Sequence, residues 1–152
     1  MTDVELTRAL ERCHIANERF HHSSHLHVAW VYLSESSSIE EAAAKMRNTL
    51  RRFAAYVGKT QKYHETLTLF WVHVLGEMRA VSSGQSLEKI VQAYPRLLEK
   101  NLPLDYYSSK RLFSEVARAS WIGPDLRPLP VDVIALRSSS SQNYTPDRAL
   151  SR

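Results

Sequence analysis

The first 90 residues of the chain contain no proline and only three glycines, and this scarcity constrains the fold more than any other feature. Proline and glycine are the residues that interrupt helices most strongly. Hydrophobic residues make up 43% of the 152 residues and charged residues 24%, which are ordinary proportions for a globular protein. A chain of this length can bury a sizeable core without disulfides. We therefore expect one domain built of helices.

Apolar residues recur at helical spacing in successive segments, and capping residues mark several of their ends. The pattern predicts helices over residues 4–17, 24–33, 39–57, 61–80, 87–100 (interrupted at Pro95) and 110–120 (in one or two pieces). Ser38 and Glu41 form a capping-box pattern at the start of the third helix, and Gly58 is placed to end it. Ser23 or Ser24 and Thr60 are placed to cap the second and fourth helices.

Residues 67–75 are apolar on nearly every side of the predicted fourth helix. A helix of this kind lies at the centre of a bundle, because each of its faces needs cover. We therefore expect polar groups near its start, notably His64 and Glu65, to be more enclosed than such residues usually are.

The C-terminal part of the chain has a different composition. Residues 123–130 contain three of the six prolines and cannot form a regular helix, so we expect a strap across the bundle surface. Residues 131–136 are predicted to be extended, and the polar residues 137–152 to be a disordered tail. The predicted fold is thus all-α: a compact bundle of five to six helices over residues 1–136, a proline-rich strap and a flexible tail.

Several partner classes are disfavoured by composition. The net charge of +4 is mild, and no nucleic-acid-binding motif accompanies it. The longest apolar run is too short to span a bilayer, and the N-terminus lacks the pattern of a signal peptide. Cys13 is the one cysteine, so no internal disulfide can form. We expect a cytoplasmic protein without nucleic-acid or membrane partners; a homodimer formed through its helices is compatible with every hypothesis below.

Histidines are concentrated at two points. Five of the seven fall at His21, His22, His25, His27 and His64. These segments begin the predicted second and fourth helices, and one antiparallel helix lies between them. The second and fourth helices should therefore run in the same direction, and their first turns can meet at one end of the bundle. The sequence predicts a His/Glu site there.

The first hypothesis is a metal-binding enzyme that acts on a small molecule. Imidazole and carboxylate ligands together suit iron, zinc or manganese better than calcium or magnesium. The predicted ligands are His25, His64 and Glu65, with His21 or His22 as a further ligand. Such a metal would activate water or dioxygen.

The same residues also permit chemistry without a metal. His64 could act as a general base oriented by Glu65, with the hydroxyl of Tyr63 as an acid or a substrate-binding group. Three further side chains are candidates for binding a small-molecule ligand: Trp30, Trp71 and Arg118. The aromatic pair would line a pocket, and the guanidinium would hold a carboxylate. Trp71 could instead pack in the core, and Arg118 could instead pair with Glu115 or cap the strap.

Two alternatives involve no catalysis. His25 and His64 could be partly buried, hydrogen-bonded residues that tie loops to the bundle. The chain could also be a module that binds a partner protein or a small anion, since converging helix N-termini direct free amides at an anion. The sequence leaves all of these hypotheses open.

Overall fold

The computed structural model describes residues 1–137; residues 138–152, which hold nearly all of the predicted tail, lie outside the described part. Seven α-helices and no strand occur between residues 1 and 137, which confirms the predicted all-α class. They are α1 (Asp3–Glu11), α2 (His22–Ser34), α3 (Ile39–Tyr56), α4 (Glu65–Val81), α5 (Leu87–Ala93), α6 (Ser109–Leu112) and α7 (Glu115–Ala119). Within this range no helix combines the length and apolar character that crossing a membrane requires.

Helix α4 lies at the centre of the packing, as its apolar run predicts. It packs against α2, α3 and α7, while α1 packs against α2 and α3. Phe70, Leu75 and Met78 of α4 are almost inaccessible to solvent. The predicted enclosure at its start is also confirmed, because His64 is 7% exposed and Glu65 is 8% exposed.

The ends of α3 follow the predicted capping pattern in part. The Ser38 hydroxyl accepts a hydrogen bond from the Glu41 N–H at 3.0 Å. The Glu41 carboxylate accepts from Ser37 and not from Ser38, so the reciprocal half of the capping box is shifted by one residue. After the helix, Gly58 has φ +73°, a conformation in which a side chain would be strained.

The predicted caps of α2 and α4 were wrong. His21 is the N-cap residue of α2, and His64 is that of α4. Ser24 lies inside the first turn and accepts a hydrogen bond from the His21 N–H. Thr60 instead begins a separate 3-10 turn, Thr60–Lys62. Sequence rules favour hydroxyl and carboxamide caps, whereas in α4 an imidazole nitrogen takes that role.

Three other boundaries differ from prediction. α1 stops at Glu11 because Cys13 reverses the chain with φ +58°. α5 stops at Ala93, because the residue before Pro95 is disfavoured from helical conformation. Residues 131–136, predicted to be extended, include the 3-10 turn Ile134–Leu136.

The segment after α7 lies against the start of α4 and the loop before α6. The Ile122 N–H donates to the Thr66 hydroxyl at 3.2 Å, and the Tyr107 hydroxyl donates to the Ile122 carbonyl at 2.6 Å. The Leu126 N–H donates to the Tyr106 carbonyl at 2.9 Å. Residues 121–130 contain no helix.

Candidate functional site

The two histidine segments belong to neighbouring helices, since α2 packs against α4. Their side chains nevertheless have separate sets of partners. In the described residues no hydrogen bond joins His21 or His25 to His64 or Glu65. Among the described residues, His25, His64 and Glu65 do not form a group of possible metal ligands whose ligand atoms lie within 4.8 Å of one another.

Both ring nitrogens of His64 are engaged by backbone groups. Its Nδ1 accepts from the Leu67 N–H at 3.1 Å, and its Nε2 lies 2.7 Å from the Leu112 carbonyl oxygen. A carbonyl can only accept, so Nε2 carries the proton and Nδ1 does not. Burial lowers the pKa of His64, and the charge of Arg118 lowers it further. His64 is thus a neutral imidazole that caps α4 and tethers the end of α6.

His25 is held in a different environment. Its Nδ1–H donates to the His21 carbonyl at 3.0 Å, and its ring packs against Phe20 with centroids 4.2 Å apart. Phe20 in turn packs against Phe53 of α3. Burial lowers the pKa of His25 to about 4. The neutral form of His25 is therefore favoured, and burial is the main cause.

Glu65 is a fully engaged carboxylate. Nε and Nη2 of Arg47 donate to it at 3.0 and 2.7 Å, and the Tyr63 hydroxyl donates at 2.6 Å. Burial alone would raise the pKa of Glu65, but these donors outweigh it and lower the pKa. Burial and the Glu65 acceptor raise the pKa of Tyr63, so its hydroxyl keeps its proton. A metal at Glu65 would have to displace Arg47.

The two tryptophans of the predicted ligand set have different partners from Arg118. The guanidinium of Arg79 lies over the Trp30 ring, 5.7 Å from its centroid. The Trp71 ring meets the His22 ring edge-on at 4.5 Å, and the His22 Nε2–H donates to the Leu97 carbonyl. Both tryptophans therefore have packing partners within the bundle.

Arg118 lies instead in a cleft of about 460 Å³. We call this cleft the arginine cleft; it is lined by Arg51, Thr60, Gln61, Tyr63, Glu115, Arg118 and Ala119. Its walls come from α3, the segment between α3 and α4, and α7. Of these residues, the sequence predicted Tyr63 and Arg118 as site residues. Arg51 belongs to the basic stretch of α3, and its type and position alone favour an ordinary solvated helix face.

The arginine cleft is rich in hydrogen-bond donors. Arg51 lies over the Tyr63 ring, 5.3 Å from its centroid. Nη1 of Arg118 donates to the Gln61 carbonyl at 3.2 Å, and a guanidinium has four further N–H groups. Glu115 is the one carboxylate in the lining, against two guanidinium groups. This arrangement can hold an anion through charge-assisted hydrogen bonds.

A group of side chains that could bind a metal ion lies outside the arginine cleft. In the part of the chain that the structure describes, three ligand atoms come within 4.8 Å of one another at Asp3, His27 and Glu88. None of these residues belongs to the set that the sequence predicted, although His27 lies in the same histidine-rich segment. Asp3 and Glu88 could not be found from spacing, because they come from distant parts of the chain.

No protein-family model, no curated protein and no solved structure matches the chain.

The structural role of His64 can be tested with variants that separate its capping hydrogen bond to the Leu67 N–H from its hydrogen bond to the Leu112 carbonyl. We expect His64→Ala to lower the free energy of unfolding by about 2–4 kcal/mol, because it removes a helix cap, a hydrogen bond and buried volume. His64→Asn keeps a capping acceptor and should lose only about half as much. Urea unfolding measures both, with His14→Ala at an exposed position as the control. A His64→Ala variant as stable as wild type would contradict the structural role.

The lowered pKa of His25 predicts acid sensitivity. The unfolded chain takes up a proton near the ordinary value of 6.5, whereas the folded chain does so near 4. The contribution of neutral His25 to the free energy of unfolding is therefore fully present above pH 6.5, and it is lost as the pH falls toward 4. We expect a loss of about 2 kcal/mol in the free energy of unfolding over that window. In His25→Gln this dependence should be shallower, and equal slopes in the two proteins would refute the assignment.

Proposed function

We propose that the chain is a small-anion-binding protein and that the arginine cleft is its binding site. The observation that carries this proposal is the placement of Arg51 and Arg118, from α3 and α7, in the lining of one cleft. Two guanidinium groups from separate elements favour a carboxylate or phosphate group, because their planar donors match two oxygens at once.

The dimensions and lining of the cleft support a small organic anion. Its volume of about 460 Å³ falls within the range common for small-molecule sites. The Thr60 hydroxyl and the Gln61 amide add neutral hydrogen-bonding groups beside the charges. Tyr63 and Ala119 contribute apolar surface, so the ligand class we infer is an anion attached to a small apolar or aromatic body.

The surrounding contacts support a rigid site. Tyr63 is fixed by its short hydrogen bond to Glu65. The Arg111 guanidinium donates to the Gly123 carbonyl at 2.6 Å, and the Ser108 N–H donates to the Asp125 carboxylate at 2.7 Å. We propose that residues 123–130 serve as the strap that the sequence predicts, and that they hold α6 and α7 in place. Preorganised donors bind an anion at lower entropic cost.

The hydrogen bonds of His64 and Glu65 favour non-catalytic binding over a metal-dependent enzyme. Both nitrogens of His64 and both oxygens of Glu65 are already bonded within the chain, so neither side chain is available to a substrate without rearrangement. A metal enzyme built on His25, His64, Glu65 and His21 stays a prediction. The cytoplasmic location and the absence of nucleic-acid and membrane partners likewise remain predictions from composition, and a homodimer formed through the helices remains compatible with them.

Binding can be tested with two simple probes, phenyl phosphate and benzoate. We expect each to shift the amide NMR signals of residues 60–63 and 115–119, and the affinity to fall at least about tenfold in Arg51→Gln and in Arg118→Gln. Loss of one charge-assisted hydrogen-bonding partner is worth about 1.5–3 kcal/mol, which corresponds to that factor.

Arg19→Gln, at an exposed position outside the cleft, is the matched control and should bind like wild type. Unfolding midpoints establish that the cleft variants are folded. Equal affinity in all four proteins would contradict the proposal. So would unshifted amides at about ten millimolar probe, which corresponds to a binding free energy of only about −3 kcal/mol.

A further inference from the structure

Three side chains that the proposed function does not use converge between α1, α2 and α5. Asp3 is the first residue of α1, His27 lies in α2, and Glu88 lies in the first turn of α5. One ligand atom from each lies within 4.8 Å of the other two. Nδ1 of His27 and Oδ2 of Asp3 are 2.9 Å apart. The fold therefore assembles one imidazole and two carboxylates from positions far apart in sequence.

We propose that Asp3, His27 and Glu88 form a binding site for a divalent transition-metal ion. A nitrogen and two carboxylate oxygens are a mixed ligand set that suits zinc, manganese or iron(II). Ligand atoms about 2.1 Å from a metal lie about 3 Å apart in octahedral geometry and about 3.4 Å apart in tetrahedral geometry. The separation of 2.9 Å between His27 and Asp3 fits two adjacent ligands of such an ion.

The position of Glu88 favours a cation over a simple ion pair. The Nδ1–H of a neutral His27 can bond one carboxylate, and Asp3 already occupies that position. Within residues 1–137, the Glu88 carboxylate has no hydrogen-bond or salt-bridge partner, although it lies beside a second carboxylate. Two negative groups this close repel each other, and a divalent ion is the partner that would offset both charges.

All three ligands stand on ordered elements. Asp3 follows the capping box of Thr2 and Glu5, which fixes the first turn of α1. His27 lies between the buried residues Leu26 and Val28, and Glu88 follows Leu87, which is 2% exposed. Side chains that packed neighbours hold in place lose little entropy when they bind an ion.

The cluster is also open to water. The side chains of Asp3 and His27 are 40% and 29% exposed, and Glu88 is exposed. With three protein ligands, the remaining coordination positions would be filled by water, as in sites where a metal exchanges or acts on a substrate. This inference is independent of the arginine cleft, because the two sites share no residue.

The experiment uses the untagged full chain, zinc for calorimetry and manganese for NMR. We expect one zinc ion per chain and a raised unfolding midpoint in its presence, since an ion that binds only the folded state stabilises it. Substoichiometric manganese should broaden the amide signals of residues 2–5, 25–29 and 87–90 first, because the paramagnetic ion acts at short range.

His27→Gln and Glu88→Gln should each weaken zinc binding at least tenfold. Glu88→Gln removes an exposed carboxylate that supports no described contact, so its loss of affinity cannot be attributed to misfolding. His14→Gln and Glu40→Gln are matched controls at exposed positions and should bind like wild type.

Two outcomes would overturn the proposal. Zinc affinity that is unchanged in both site variants, or absent in the wild type at millimolar zinc, would leave Asp3 and His27 as an ion pair only. Manganese broadening centred on residues 21–25 and 64–65 would instead place the metal at the His/Glu site that the sequence predicts.

Discussion

A helix that is packed on several sides begins with backbone N–H groups that water cannot reach, and side chains have to bond them. In α4 this constraint is met by His64, which accepts from the Leu67 N–H and donates to the Leu112 carbonyl. Thr66, two residues later, donates to the Ser120 carbonyl. The first turn of α4 is therefore tied to both α6 and the end of α7. These bonds set the position of α7 against α3, and with it the wall of the arginine cleft that carries Arg118.

The chemistry that makes His64 a good cap makes it a poor base. A base needs a nitrogen lone pair directed at a substrate, whereas the one lone pair of His64 is used by the backbone. The same holds for Glu65, whose oxygens are taken by Arg47 and Tyr63. The polar atoms of His64 and Glu65 are thus occupied by hydrogen bonds within the protein. The N–H groups that can still donate to a ligand belong to Arg51 and Arg118, in the adjacent arginine cleft.

Much of the fold follows from local sequence signals, while the site depends on tertiary contacts. The helices, the caps at Ser38 and Gly58 and the central position of α4 reflect periodicity and backbone preferences that act over a few residues. The enclosure of His64 and Glu65 also follows from their position beside an apolar run. Spacing could not reveal that Arg47 would engage Glu65, or that Arg51 would face α7 across a cleft. The convergence of Asp3, His27 and Glu88 has the same origin, because three helices contribute one side chain each.

His64 is a structural imidazole whose proton lies on Nε2. Nitrogen-15 NMR of the side chain tests it directly, since protonated and bare ring nitrogens differ in chemical shift. We expect a protonated Nε2, a bare Nδ1 and a titration midpoint below the ordinary value of 6.5, because burial lowers the pKa of His64. A proton on Nδ1, or a midpoint at or above 6.5, would show that the imidazole does not cap α4.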